Sequence, residues 1–182
     1  MKTIHRLFEK YKKIVVPALA KQFGYKNLSE APKLEKVVIN IGLNQAKDQK
    51  LLEAEEKTMR RISGQKPVER KARKSISNFK IRKGQVIGLM VTLRGKRMYD
   101  FVDKLINLSL PRVRDFRGIL EKSIDSGGNL SIGFKENIVF PEIRPDEVDR
   151  LHGLEVTVCT SANDKVEALA LLRGLGFPFR GK

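Results

Sequence analysis

Three short stretches of this chain repeat one pattern, an apolar residue at every second position with small or polar residues between. In LEKVVINIGL, Val37, Ile39, Ile41 and Leu43 alternate with Lys36, Val38, Asn40, Gly42 and Asn44. In VIGLMVTLR, Ile87, Leu89, Val91 and Leu93 alternate with Gly88, Met90, Thr92 and Arg94, and in LEVTVCTS, Leu154, Val156 and Val158 stand opposite Glu155, Thr157, Cys159 and Ser161. A period of two sends successive side chains to opposite faces of a strand, so each stretch buries one face and leaves the other open. QKPVER adds a short strand that Pro67 confines to an edge, and LSIGF adds another after the turn Gly127-Gly128-Asn129.

Between the strands the apolar period lengthens to that of a helix. Ile4, Leu7, Phe8, Tyr11, Val15, Leu19 and Phe23 share one face over residues 4 to 23, with Pro17 as a predicted kink and Gly24 as the stop. Residues 48 to 63 start at a candidate N-cap, Asp48, and align Leu51, Leu52, Met59 and Ile62. KRMYDFVDKLINLSL aligns Met98, Phe101, Val102, Leu105 and Leu108 before Pro111, and Ser161 with Asp164 reads as a capping box for a helix over 162 to 173, closed by Gly174 or Gly176. Half-buried strands interleaved with amphipathic helices predict an α+β fold, an open and mostly antiparallel sheet with helices packed on one face. With 182 residues, 41% of them hydrophobic, and no repeat or low-complexity linker, residues 1–182 read as a single domain.

Charge narrows the class of partner. The chain carries +16, and from Lys57 to Arg97 fourteen basic residues stand against one acid, Glu69, a net +13 in 41 residues that leaves +3 for the other 141. Such a concentration points to a polyanion. No apolar stretch reaches the eighteen or so residues of a membrane span, so no membrane partner is expected. The basic, amphipathic first helix has the look of a transit peptide, against which Glu9 and its use as a core helix both count. The single Cys159 excludes an internal disulfide, fits a reducing cytoplasm and reads as a small buried hydrophobe.

Catalytic and metal motifs are missing. His5 and His152 have no ligand at metal spacing, and Gly64-Gln65-Lys66-Pro67 lacks the spacing of a phosphate loop. No nucleophile motif, catalytic residue or cofactor site is expected. The alternative is a magnesium-dependent RNA-processing enzyme using Asp146, Glu147 and Asp149, residues that also read as the acidic first turn of a helix after Pro145.

The long basic inter-strand loop at about 72–83 has a second peculiarity, the apolar Ile76, Phe79 and Ile81 among its cations. Two readings stand. Either Phe79 and Ile81 begin the next strand and are buried, or they touch a partner, Phe79 by stacking on unpaired bases while Ser75, Ser77 and Asn78 bond phosphates and 2′-hydroxyls. The outward sheet face, with Asn40 and Thr92, is the other candidate surface; bulky charge is absent there, so it either meets solvent or admits a backbone closely.

VVINIGLNQA (37–46), SGQKPVERKARKSISNFKIRKG (63–84), IGLMVTLRG (87–95), LPRVRDFRG (110–118) and GFPF (176–179) together resemble the bacterial large-ribosomal-subunit protein five family, the 5S ribosomal RNA-binding ribosomal proteins. The resemblance covers nearly the whole chain in order. It implies a structural constituent of the large subunit in the cytoplasmic ribosome, bound to 5S rRNA and adjacent large-subunit rRNA in the central protuberance among neighbouring large-subunit proteins. It implies neither catalysis nor a cofactor. By motif, Asn40, Gln65 and Thr92, with Lys36, Lys66 and Arg94 beside them, are the rRNA-binding candidates. Arg73, Lys74, Ser75, Ser77, Asn78, Lys80, Arg82 and Lys83 form the loop that would face the peptidyl-site tRNA. A surface around residues 110 to 145 would bridge to small-subunit protein thirteen. One departure is visible: Asn44 stands where the family often has glycine, a residue whose left-handed geometry asparagine tolerates.

Overall fold

The computed structural model describes residues 6–43, 49–143 and 152–181. Five strands form one open sheet in the order β2-β3-β1-β5-β4, with β1 at Leu34–Gly42, β2 at Val68–Lys71, β3 at Val86–Leu93, β4 at Leu130–Phe134 and β5 at Leu154–Thr160. β2 and β3 are antiparallel, Val68 facing Met90 and Arg70 facing Gly88. Leu43 N donates to Ile87 O at 2.9 Å and Ser161 N to Lys33 O at 2.9 Å, each the meeting of one strand's end with another's start. As expected of QKPVER, β2 is an edge strand, and Pro67 immediately precedes it.

By internal packing the chain divides into two compact units, Met1–Val37 with Leu93–Ile132 and Thr157–Lys182 as unit 1, and Val38–Thr92 with Gly133–Val156 as unit 2. Unit 1 is helix-rich. Its first helical run passes from α1 (Arg6–Lys10) through a π-helical turn, Tyr11–Val15, into α2 (Val16–Phe23). Leu7, Tyr11, Val15 and Leu19, four residues apart, are all buried. Gly24 ends the run in the left-handed conformation, φ 69°, as its sequence position predicts.

The kink expected at Pro17 takes the form of that π turn. A proline has no N–H to give and its ring crowds the carbonyl four residues back; widening the preceding turn, closed by Val16 N on Tyr11 O, carries the helix past it. The same device recurs at α4 (Gly95–Lys104), which continues as a π turn over Leu105–Ser109, two residues before Pro111. Here it alters the buried face. Leu108, expected inside, is 51% exposed, and Ser109 takes the interior position at 0%, because a five-residue turn brings the next residue round to the core.

α5 (Lys165–Leu175) starts three residues later than the sequence suggested. Asp164 is its cap, accepting from Glu167 N at 2.8 Å, while the Glu167 carboxylate accepts from Asn163 N at 3.0 Å. Ser161, the expected cap, accepts instead from Lys33 N at 3.0 Å, since the sheet claims its hydroxyl first. Gly176 closes the helix, φ 110°, and Lys10 Nζ donates to the Leu175 carbonyl at 2.9 Å. Gly174 serves packing: a Cβ there would lie 3.0 Å from the Val15 side chain.

In unit 2, α3 (Gln49–Ser63) buries Met59 and Ile62, and the strands bury Ile39, Ile41, Leu89, Val91 and Val156 essentially fully. The Asp48 cap, and Asn44, lie outside the described residues. A polar contact sits within this core. His152 Nε2 lies 2.7 Å from Glu55 Oε2 and His152 Nδ1 3.2 Å from Asn137 Nδ2, with Asn137 wholly buried. Removing one partner would leave the others desolvated and unpaired.

Candidate nucleic-acid interface

The outward face of the sheet follows from the alternation. In unit 2 it carries Val38, Asn40 and Gly42 of β1, Gly88, Met90 and Thr92 of β3, and Val68 and Arg70 of β2, since paired residues on neighbouring strands share a face. Arg70 reaches across to Met90, Nη2 3.4 Å from the sulfur. Gly88 is there by necessity: a Cβ would stand 2.7 Å from the Ile41 carbonyl oxygen. Glycine therefore lets β1 and β3 pair closely; on the same face Asn40 is exposed and Thr92 half-buried. In unit 1 the same outward positions hold Lys36, Thr157 and Cys159, and Ser131, whose hydroxyl lies 3.2 Å from that of Thr157. Cys159 thus faces outward and is half-buried rather than a core hydrophobe, and burial pushes its thiol pKa up.

Gln65 sits between α3 and β2, half-buried, its side-chain nitrogen 3.5 Å from the Thr92 carbonyl oxygen, so the fold brings these two candidates together. The Ser63 hydroxyl shapes that junction, donating to Met59 O at 2.7 Å and accepting from Gln65 N at 3.2 Å. Lys66 is exposed and lies 3.6 Å from Glu56, a pair worth little at a wet surface. Lys36 lies half-buried on β1 and Arg94 exposed at the start of α4, both in unit 1.

Between β2 and β3 the basic stretch folds back on itself. Ala72, buried, donates to Gln85 O at 2.8 Å and accepts from Gly84 N at 2.9 Å, which closes the base. Ile76 and Ile81 exchange backbone bonds of 2.9 and 3.1 Å, and Lys80 N donates to Ser77 O at 2.9 Å across a four-residue tip, with Lys80 at φ 54°. Of the loop candidates, Ser75 does structural work, its hydroxyl accepting from Lys83 N at 2.9 Å. Arg73, Lys74, Ser77, Asn78, Lys80, Arg82 and Lys83 are exposed. Of the two readings of the apolar residues, Phe79 takes the outward one at 73% exposure, with Ile76 at 46%, while Ile81 is half-buried. Water gains nothing from a phenyl ring raised on a cationic hairpin; a stack of bases does.

Among the described residues no group of three His, Cys, Asp or Glu could hold a metal ion, and no helix is long and apolar enough to cross a membrane. Asp146, Glu147 and Asp149 lie outside the described residues. An outward sheet face carrying Asn40 and Thr92 and a cationic hairpin with an exposed aromatic tip are the features expected of a polyanion-binding protein. Comparison with known proteins gives the family. Residues 27–82 match the family described as ribosomal protein L5, and residues 86–179 match the C-terminus of that ribosomal family. The chain is 56% identical over 175 residues to large ribosomal subunit protein uL5 of Caldanaerobacter subterraneus subsp. tengcongensis, covering 96% of this chain and 98% of that one. It is 54% identical over 178 residues to the uL5 of Roseiflexus castenholzii, covering 97% and 99%, and 54% identical over 177 residues to that of Clostridium tetani, covering 97% and 98%. The chain belongs to the ribosomal protein L5 family. It is accordingly a structural, non-enzymatic protein of the large ribosomal subunit, which removes the RNA-processing alternative.

Proposed function

We propose that this protein holds 5S rRNA and adjacent large-subunit rRNA on its open sheet face, with Asn40, Gln65 and Thr92 making the close contacts and Lys36, Lys66 and Arg94 neutralising phosphates beside them. The observation that supports this is Gly88: with Gly42 it leaves that end of the β1–β3 pairing without side chains, on the same face that carries Asn40 and Thr92 as short hydrogen-bonding groups. The hairpin, through Arg73, Lys74, Ser77, Asn78, Lys80, Arg82 and Lys83 with Phe79 at its tip, reaches the peptidyl-site tRNA. A surface around residues 110 to 145 bridges to small-subunit protein thirteen, neighbouring large-subunit proteins complete the setting, and residues 1–182 act as one RNA-binding domain.

The test is 5S rRNA binding by the purified chain. Asn40→Ala or Thr92→Ala should each weaken it by about 1 to 2 kcal/mol, the cost of losing a buried hydrogen bond, with an unchanged unfolding curve. Hairpin variants should lose tRNA and keep most 5S rRNA affinity. Equal loss of 5S rRNA binding from both sets would refute the division of work.

A further inference from the structure

Met90 stands apart from the other methionines. Met59 and Met98 are buried, at 0% and 2% exposure, and Met1 lies outside the described residues, whereas Met90 is half-buried on the outward face of β3. What a thioether brings to a surface, and leucine does not, is a polarizable sulfur open to oxidation. We propose that Met90 is an oxidation site for peroxides and that its sulfoxide oxygen captures the Arg70 guanidinium, which makes this contact on the sheet face redox-sensitive.

Strand register places the two groups together. Arg70 pairs with Gly88, which presents no side chain, so the guanidinium leans to the diagonal neighbour two positions on, and Nη2 donates to the Met90 sulfur at 3.4 Å. Among the described residues no carboxylate pairs with Arg70, so the sulfur is the contact that fixes it. Val68, directly opposite Met90, is itself 58% exposed and leaves the thioether partly open to solvent.

The reaction changes one atom. A sulfur lone pair attacks an oxygen of hydrogen peroxide; the S–O bond forms as the O–O bond breaks, and the departing hydroxide takes the proton left on the new oxygen and leaves as water. Sulfur thereby loses two electrons to the peroxide. A thioether sulfur is a weak acceptor, while the polar sulfoxide oxygen accepts a charge-assisted bond from a guanidinium. Cys159, the one thiol, is the competing target, but its thiolate is the reactive form and burial pushes its pKa up. The consequence for binding rests on the reading of this face as the 5S rRNA surface: Arg70 shares it with Asn40 and Thr92, and a guanidinium held by a neighbouring oxygen is withdrawn from phosphate.

The experiment treats the purified full chain with hydrogen peroxide, then with dithiothreitol, which returns the Cys159 thiol and leaves the sulfoxide. Peptide mapping by mass spectrometry should find Met90 oxidised well before Met59 and Met98; equal rates at the three overturn the site. In the protein free of RNA, the Arg70 guanidinium N–H signals should shift on peroxide treatment and stay in place in Met90→Leu. Unmoved signals in the oxidised wild type overturn the capture, whatever the face binds. Affinity for 5S rRNA should then fall about tenfold on oxidation and return with methionine sulfoxide reductases and dithiothreitol. Arg70→Ala should bind alike before and after peroxide, within about twofold. A full loss in Arg70→Ala overturns the role of the arginine, and no loss in the wild type overturns the effect on binding. If Asn40→Ala and Thr92→Ala also leave affinity unchanged, the reading of the face is what has failed, and the mapping and the Arg70 signals still decide the site and the capture.

Discussion

The sheet face of unit 2 and the hairpin that joins two of its strands are, in the function proposed, opposite solutions to holding the same kind of polymer. The face has few charges, is held by strand pairing on a packed core, and offers Asn40 and Thr92 on strands that Gly88 lets pair closely. The hairpin has almost no core beneath it, is closed by a handful of backbone bonds, and presents cations around an exposed phenyl ring. A rigid face gains affinity by fit, because its donors are fixed before the ligand arrives. A cationic hairpin gains it by long-range attraction and stacking, which tolerate many sequences and fade with salt. On that proposal, net charge marks a polyanion-binding protein without marking its most specific contact.

The contrast can be broken, beginning with the face. Gly88→Val should destabilise the protein by about 3 kcal/mol, the upper end of overpacking, read as a lowered urea midpoint. A negligible change would show that the face is plastic and dissolve the distinction. On the hairpin, Phe79→Ala should cost about 1 to 3 kcal/mol of tRNA affinity through lost stacking, while the unfolding curve stays within about 0.5 kcal/mol because the ring is exposed. If stability fell and binding held, the ring would belong to the fold. The smallest effect separates charge from shape. Lys80→Gly relieves about 1 kcal/mol of left-handed strain, largely offset by the chain entropy of glycine, so stability should move by only tenths of a kcal/mol. The tRNA salt slope should still fall by roughly 0.7 to 0.9.

Much of the fold was legible because strand alternation is a local property. Ile39, Ile41, Leu89, Val91, Val156 and Val158 are buried where a period of two puts them, and Asn40 and Thr92 look outward for the same reason. Helix periodicity was less faithful. Leu108 is exposed because the turn before Pro111 widens, a change that depends on how a proline ring is accommodated and leaves no mark on the apolar pattern. Asp164 rather than Ser161 caps α5 because a pairing between β1 and β5 takes the serine hydroxyl, and that pairing joins residues 128 positions apart.

The functional surfaces divide in the same way. The sequence alone determined the α+β class, the edge position of Val68–Lys71, the polyanion partner and the place of the charge between Lys57 and Arg97, since each depends on residues within a few positions of one another. Only the tertiary structure decided that Phe79 points outward, that Gln65 meets the Thr92 carbonyl, that Gly88 is demanded by Ile41, and that Arg180 lies beside Gly118. Those facts are meetings of segments distant in the chain, and which segments meet is set by how the whole apolar surface is buried rather than by any local preference.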